Sequence, residues 1–287
     1  MDSRRIRRGW WALLYFAIGC GTARSSTPVL LPPSAPPIIK TSSINSWSFS
    51  YTPGVLRYQI SRSAAIDGLT DSGSVREIST NLTRELVTLA PAGDSAISFT
   101  ATVDTFASTT QGLIGPVQQT QLPVEVSGTF ADSGITIIST GTSSRCNPVS
   151  SAIVSDVHNL LTRFAVPLSR RSVWKDSSST AGCQAAIPTT ARTIRSYIVS
   201  GESVYEGQPV LVIERTDTIE AQGEGAQQQH PVKLNASGAG SAIYYLDTKS
   251  GRLVRLTTAQ EMTLAIIASG KTHRFRQSSQ QEFKLTP

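Results

Sequence analysis

Two stretches of this chain alternate apolar and polar residues without a break. Ile97, Phe99, Ala101 and Val103 share one parity, and Ser98, Thr100, Thr102 and Asp104 share the other. Val124, Val126, Gly128 and Phe130 repeat the pattern against Glu125, Ser127 and Thr129. A period of two puts one set on a packed face and the other in water, which is the pattern of a half-buried strand. Pro91-Ala92-Gly93-Asp94 and Asp132-Ser133-Gly134 supply short turns, so neighbouring strands run antiparallel. The last hundred residues read the same way, with strands expected over 193–200, 209–218, 241–247, 251–257, 262–268 and 272–285. Asp247-Thr248-Lys249-Ser250-Gly251 and Ser269-Gly270-Lys271 read as hairpin turns.

Only one segment has helical spacing. After Pro148, apolar residues fall at Ile153, Val154, Val157, Leu160, Leu161 and Phe164, and Pro167 ends the run. The expected fold is therefore mainly β (α+β). It is a curved antiparallel sheet or open half-barrel built from two β meanders, over 44–144 and 190–287. One helical and disulfide segment, over 145–185, packs on the sheet. Residues 44–287 read as a single β-rich domain.

The N-terminus has a different grammar. Arg4, Arg5, Arg7 and Arg8 precede the apolar run Trp10 to Ile18, and Ala17-Ile18-Gly19 precedes Cys20. A basic head, a short apolar core and small residues make an export signal over residues 1–19. The run is shorter than the roughly 20 residues a spanning helix needs. Ala17-Ile18-Gly19-Cys20 resembles a bacterial lipobox, although Ala17 stands where that family most often has leucine. The resemblance implies cleavage before Cys20, acylation of its thiol and amine (palmitate among the chains), and a membrane-anchored lipoprotein. Gly21 after the cysteine then implies sorting to the outer membrane of a Gram-negative host. Cleavage after Gly21-Thr22-Ala23, giving a soluble secreted or periplasmic protein, is the alternative. Residues 20–43 are rich in Pro and Ser, including Pro32-Pro33 and Pro36-Pro37, and read as an extended tether.

The export signal also disposes of a misleading charge. The full chain carries 26 Lys and Arg against 20 Asp and Glu, a net charge of +6. Residues 1–19 hold four arginines and one aspartate, so the mature chain has 22 basic and 19 acidic residues, or +3. No basic run remains, and nucleic acid is excluded as a partner on that ground. Cys146 and Cys183 are the two remaining cysteines of the exported chain and are expected to form a disulfide.

The hairpin Tyr244-Tyr245-Leu246-Asp247, turn, Gly251-Arg252-Leu253-Val254 resembles those of β-rich envelope lipoproteins related to LolA and LolB. That likeness covers about a fifth of the chain. It implies a curved antiparallel sheet over helices with acyl chains in the hollow, and it transfers no ligand-contacting residue.

Residues that suggest chemistry are few. His158, His230 and His273 are the only histidines, and none has metal-ligand spacing. Each reads as an ordinary surface or structural histidine, His158 on the polar side of the helix. Ser172-Val173-Trp174-Lys175 matches Ser-x-x-Lys, which needs a helix to set serine beside lysine. It lies outside the helical segment, and Trp174 is expected to pack under the sheet. Ser269-Gly270-Lys271-Thr272 has the tail of a phosphate loop, but Ala265 replaces its first glycine and strands flank it. Gly223-Glu224-Gly225 and Gly238-Ala239-Gly240 read as bulges or close strand crossings. Asp67, Asp71, Asp104, Asp176, Asp217 and Asp247 read as turn and edge residues. Neither catalytic residues nor cofactors nor metals are assigned. The function expected is non-enzymatic: an anchored protein binding a lipid, a hydrophobic ligand or an envelope protein, or serving an envelope-structural role. The alternative is an anchored hydrolase with a site assembled from scattered residues, in which His158 or His273 would meet a carboxylate and a serine.

Overall fold

The structure is a computed structural model and describes residues 37–38, 46–49, 51–70, 73–93, 96–111, 122–131, 134–140, 146–162, 164, 167–184, 187–227 and 230–287. Cys20, the export signal and all of the tether but residues 37–38 lie outside them.

The first meander runs through β2 (Gly54–Thr70), β3 (Gly73–Pro91), β4 (Ile97–Gln111), β5 (Val124–Ala131) and β6 (Gly134–Ser139). The second runs through β8 (Val173–Gln184), β9 (Ile187–Tyr205), β10 (Gln208–Gln227), β11 (His230–Asp247), β12 (Leu253–Ala268) and β13 (Lys271–Thr286). β13 pairs antiparallel with β2, from Arg274 opposite Leu69 to Thr286 opposite Arg57. That one seam joins both meanders into an 11-stranded antiparallel sheet nearly closed into a barrel, with β6 and β8 as its edges. A separate two-stranded sheet pairs β1 (Ser46–Trp47) with β7 (Leu168–Ser169).

Between the two meanders lies α1 (Pro148–Leu160). Asn147 caps it, its Oδ1 accepting from the Val149 and Ser150 amides at 2.9 and 3.0 Å, and Pro148 takes the first turn, where a missing N–H costs nothing. The helix touches β8 on one side and β4 and β5 on the other, so it bridges the gap between the sheet edges. Its apolar stripe Ile153, Val154, Val157 and Leu160 joins Val87, Phe99 and Val126 of one meander to Tyr197, Ile213 and Tyr244 of the other in a single core. Phe164 lies past the helix end but packs on that core, edge-on to Trp174 and Tyr244.

Scale decides what the helix leaves uncovered. β10 has 20 residues and extends roughly 65 Å. α1 has 13 residues and is about 20 Å long. The core therefore fills one end of the half-barrel, and the rest of its concave face is not covered by the helix.

Two expectations need correction. Residues 173–184, expected within the helical and disulfide segment, are a strand, so Cys183 sits within β8. Residues 253–268 form one strand, β12, which starts two residues later than expected and has no break at Thr258–Glu261. Gly223 and Gly238 are the close strand crossings that the glycine pairs suggest: a Cβ on Gly223 would meet the Pro188 carbonyl oxygen at 2.4 Å, and one on Gly238 the Glu261 oxygen at 2.1 Å. The register shifts fall elsewhere, at 84/85, 127/128, 212/213 and 245/246. Side-chain-free inner positions let strands coil tightly there. The turn at 269–270 is a two-residue hairpin, with φ of 50° at Ser269 and 76° at Gly270. Cys146 and Cys183 stand at disulfide distance, with Cα atoms 5.1 Å apart.

Candidate functional site: a layered hollow on the concave face

The ladders stack the inward side chains of the second meander in rows. The lowest row, Val199–Ile213–Tyr244–Leu256–Phe283–Ile60, belongs to the core. Above it runs Tyr197–Arg215–Ala242–Thr258–Gln281–Arg62–Asn81, and above that Asp176–Arg195–Asp217–Gly240–Gln260–Ser279. The next two rows turn apolar again, with Ile219 and Met262 in one and Ala221, Ala236, Leu264 and Phe275 in the other. A hollow of about 240 Å³ spans these upper rows, floored by the Ser151, Ser155, His158 and Asn159 face of α1. A wider, more open recess of about 610 Å³ continues from Thr258 and Gln281, which line both, toward Arg62, Asn81 and Ser108.

The polar rows are held by paired charges. Arg215 clasps Asp217 through Nε and Nη2, at 2.8 and 2.9 Å, with the two side chains 4 % and 8 % exposed. Arg215 Nη1 also donates to Asn159 Oδ1 at 3.0 Å and to the Tyr244 hydroxyl, and its guanidinium lies over the Tyr244 ring. One row up, Arg195 Nη1 donates to Ser178 Oγ at 2.9 Å and reaches Asp176 at 3.4 Å, a longer contact. Asp176 accepts from the Tyr197 hydroxyl at 3.1 Å, and the Tyr197 ring stacks on Trp174 at 4.8 Å. On the other wall Arg62 pairs with Asp156 of α1 and donates to Thr83 at 2.7 Å, while Glu85 lies buried beside Asp156. Burial first, then the Asp156 charge, raises the Glu85 carboxyl well above its ordinary range. Burial raises the Asp156 carboxyl too, against the lowering charge of Arg62.

His158 faces the hollow rather than bulk water. Burial and, behind it, the Arg195 charge lower its pKa to about 4. The folded state thus resists protonating it, and stability falls as pH drops from about 6.5 through 4, by up to about 3 kcal/mol. His158→Gln is expected to remove that part of the acid sensitivity, read as denaturation midpoints at pH 7 and pH 4.5. An unchanged difference between those midpoints contradicts the burial.

Several site residues departed from the sequence reading. Asp176 and Asp217, read as turn or edge residues, face inward on mid-strand positions. Arg62, Glu85, Asp156, Arg195 and Arg215 were not singled out. Their signal is parity: Arg215 and Asp217 share the phase of Leu211, Ile213 and Ile219, and Glu85 that of Val87 and Leu89. A charge inside an apolar phase marks a polar group on the packed face. Trp174 packs under the sheet as expected, and Ser172 and Lys175 flank it at the start of β8 with no helix to bring them together. His273 is exposed on β13, and His230 begins β11. Among the described residues no histidine bonds a serine or a carboxylate, and no group of three His, Cys, Asp or Glu stands where it would hold a metal ion.

The convex face is mixed, with a buried apolar cluster of Val210, Val212, Ile243 and Tyr245 on one part of it. It carries the ion pairs Arg276–Glu261, Arg255–Glu282, Lys284–Glu206 and Lys233–Glu224 on adjacent strands.

No family model matches the chain, and no curated protein matches it in sequence. Among solved structures, an outer membrane channel from Pseudomonas putida F1 aligns over 83% of this chain and 98% of its own, at 5% identity and TM-score 0.24. The translocator domain of an autotransporter from Neisseria meningitidis aligns over 82% and 89%, at 8% identity and TM-score 0.22. An outer membrane lipoprotein-sorting protein domain from Vibrio parahaemolyticus aligns over 80% and 83%, at 9% identity and TM-score 0.19. At these scores nothing of their function passes to this chain.

Proposed function

We propose that this protein is a non-enzymatic binding protein of the cell envelope, held to the outer membrane by acylated Cys20, that takes a small, partly apolar molecule into the hollow above α1. The observation that carries the reading is the hollow itself: a concave, partly polar and partly apolar recess left open by a helix too short to cover the sheet. Its volume of about 240 Å³ lies just below the usual range of small-molecule sites. The export signal, the lipobox-like Ala17-Ile18-Gly19-Cys20 and the Pro-rich spacer support the anchored location. Acyl chains at about 0.8 kcal/mol per buried methylene make such attachment effectively permanent, so the protein receives its ligand in place and does not ferry it.

Two readouts test this. Cys20→Ser, expressed in a Gram-negative host, is expected to move the protein from the membrane to the soluble fraction and to abolish incorporation of labelled palmitate. Unchanged fractionation overturns the anchor. Calorimetric titration of the purified protein with 1-octanol is expected to saturate at one site. Ala221→Trp, which fills the hollow, is expected to remove that binding while leaving the far-ultraviolet circular dichroism intact. Absent binding, or equal binding by the variant, contradicts the reading.

A further inference from the structure

We infer that the hollow selects a ligand with an anionic head and a short apolar tail, the head seated on Arg195 and the tail lying against Ile219, Met262 and Leu264. This rests on the hollow being a binding site, and it names the chemistry that site prefers.

Arg195 is 8 % exposed and lines the hollow. Of the two arginines there it has the longer carboxylate contact, 3.4 Å to Asp176 against 2.8 Å from Arg215 to Asp217. Its charge is therefore the less compensated of the two. The other charges facing the hollow are already engaged. Asp217 accepts from Arg215 Nη2 at 2.9 Å, and its other oxygen stands 2.8 Å from Arg215 Nε as an ion pair. Asp176 accepts from Tyr197 and takes only the long contact from Arg195. His158, neutral at pH 7, adds no competing charge. A cationic head would meet two carboxylates already paired with arginines, and the partly compensated Arg195 guanidinium. An anion meets the Arg195 charge on a planar fork suited to a carboxylate.

The neighbouring rows set the rest of the ligand. Ile219 is on the inner row next to Arg195 and Asp217, with Met262 on that row, and Leu264 lies one row further. Apolar surface thus begins one residue step beyond the guanidinium and runs toward the open end of the strands. At about 30 Å³ per water-sized group, 240 Å³ holds roughly eight of them, which fits a short-chain carboxylate better than a diacyl lipid.

The test is calorimetry of the purified protein at pH 7.5 with octanoate, 1-octanol and octylammonium, which share a tail. Octanoate is expected to bind one to one and octylammonium at least tenfold more weakly. Arg195→Gln is expected to weaken octanoate by roughly 10- to 100-fold, the range of one charge-assisted hydrogen bond, and to leave 1-octanol unchanged. Ala221→Trp, which leaves the polar rows untouched, is expected to lose both. If octanoate and octylammonium bind alike, or if a folded Arg195→Gln keeps its octanoate affinity, the head-group assignment is overturned and the hollow stands. If none of the three binds the parent protein, the binding reading fails with it.

Discussion

Arg215→Ala is expected to destabilise the protein by about 3–5 kcal/mol, the cost of leaving a buried charge without its partner. The Asp217 side chain is 8 % exposed and is clasped by Arg215 at 2.8 and 2.9 Å. Removing the guanidinium also strips a donor from Asn159 and from the Tyr244 hydroxyl, whose remaining contact is Thr162 at 3.2 Å. The loss reaches beyond one strand. Arg215 ties β10 to α1 through Asn159 and to β11 through Tyr244, so the helix loses a polar tie to the sheet as well. The melting temperature is expected to fall by on the order of 10 °C for a domain of this size. Arg215→Met with Asp217→Leu, which removes the pair together, is expected to recover most of that loss. A single variant as stable as its parent would mean that the pair is solvated and that the polar rows do not bear on the fold.

The second large effect is expected from the cysteines. Cys146 precedes α1 and Cys183 lies near the end of edge strand β8, 37 residues apart in sequence. A bond closing that loop restricts the unfolded chain and, in the chain-entropy description, contributes about 4 kcal/mol. Replacing both by alanine is therefore expected to lower the denaturation midpoint about as much as Arg215→Ala does. The consequence is local as well, because the bond links the start of α1 to one side of the gap that the helix bridges. Amide exchange is expected to quicken first in α1 and β8 and least in β2 and β13, which sit mid-sheet. Uniform quickening, or no change on reduction, contradicts this placement.

Strand character was legible wherever one face is apolar. The runs Ile97–Val103 and Val124–Phe130 became the inward faces of β4 and β5. It failed where the inward face is itself polar or small. Thr258-Ala259-Gln260-Glu261 looks like a break between two strands because Thr258 and Gln260 face the hollow, not the core. β10 was expected to end at Thr218, yet it runs on to Gln227, because Ala221, Gly223 and Gly225 hold its inner positions without large apolar side chains. The Ser- and Thr-rich run 177–180 hid β8 for the same reason. The places where period-two reading breaks down are thus the places that build the site. Parity alone would have flagged Arg215 and Glu85. It would not have placed Arg195 beside Asp217, since that adjacency depends on the register between β9 and β10.

The central claim is that the concave face above α1 is an accessible, ligand-sized hollow. The most direct measurement is a crystal structure of the protein soaked with octanoate. Ordered density is expected between the Ser155–Asn159 turn of α1 and the inner rows of β9–β12, with the carboxylate within hydrogen-bond reach of Arg195. Side chains collapsed into that space, or octanoate found only on the convex face, would contradict it.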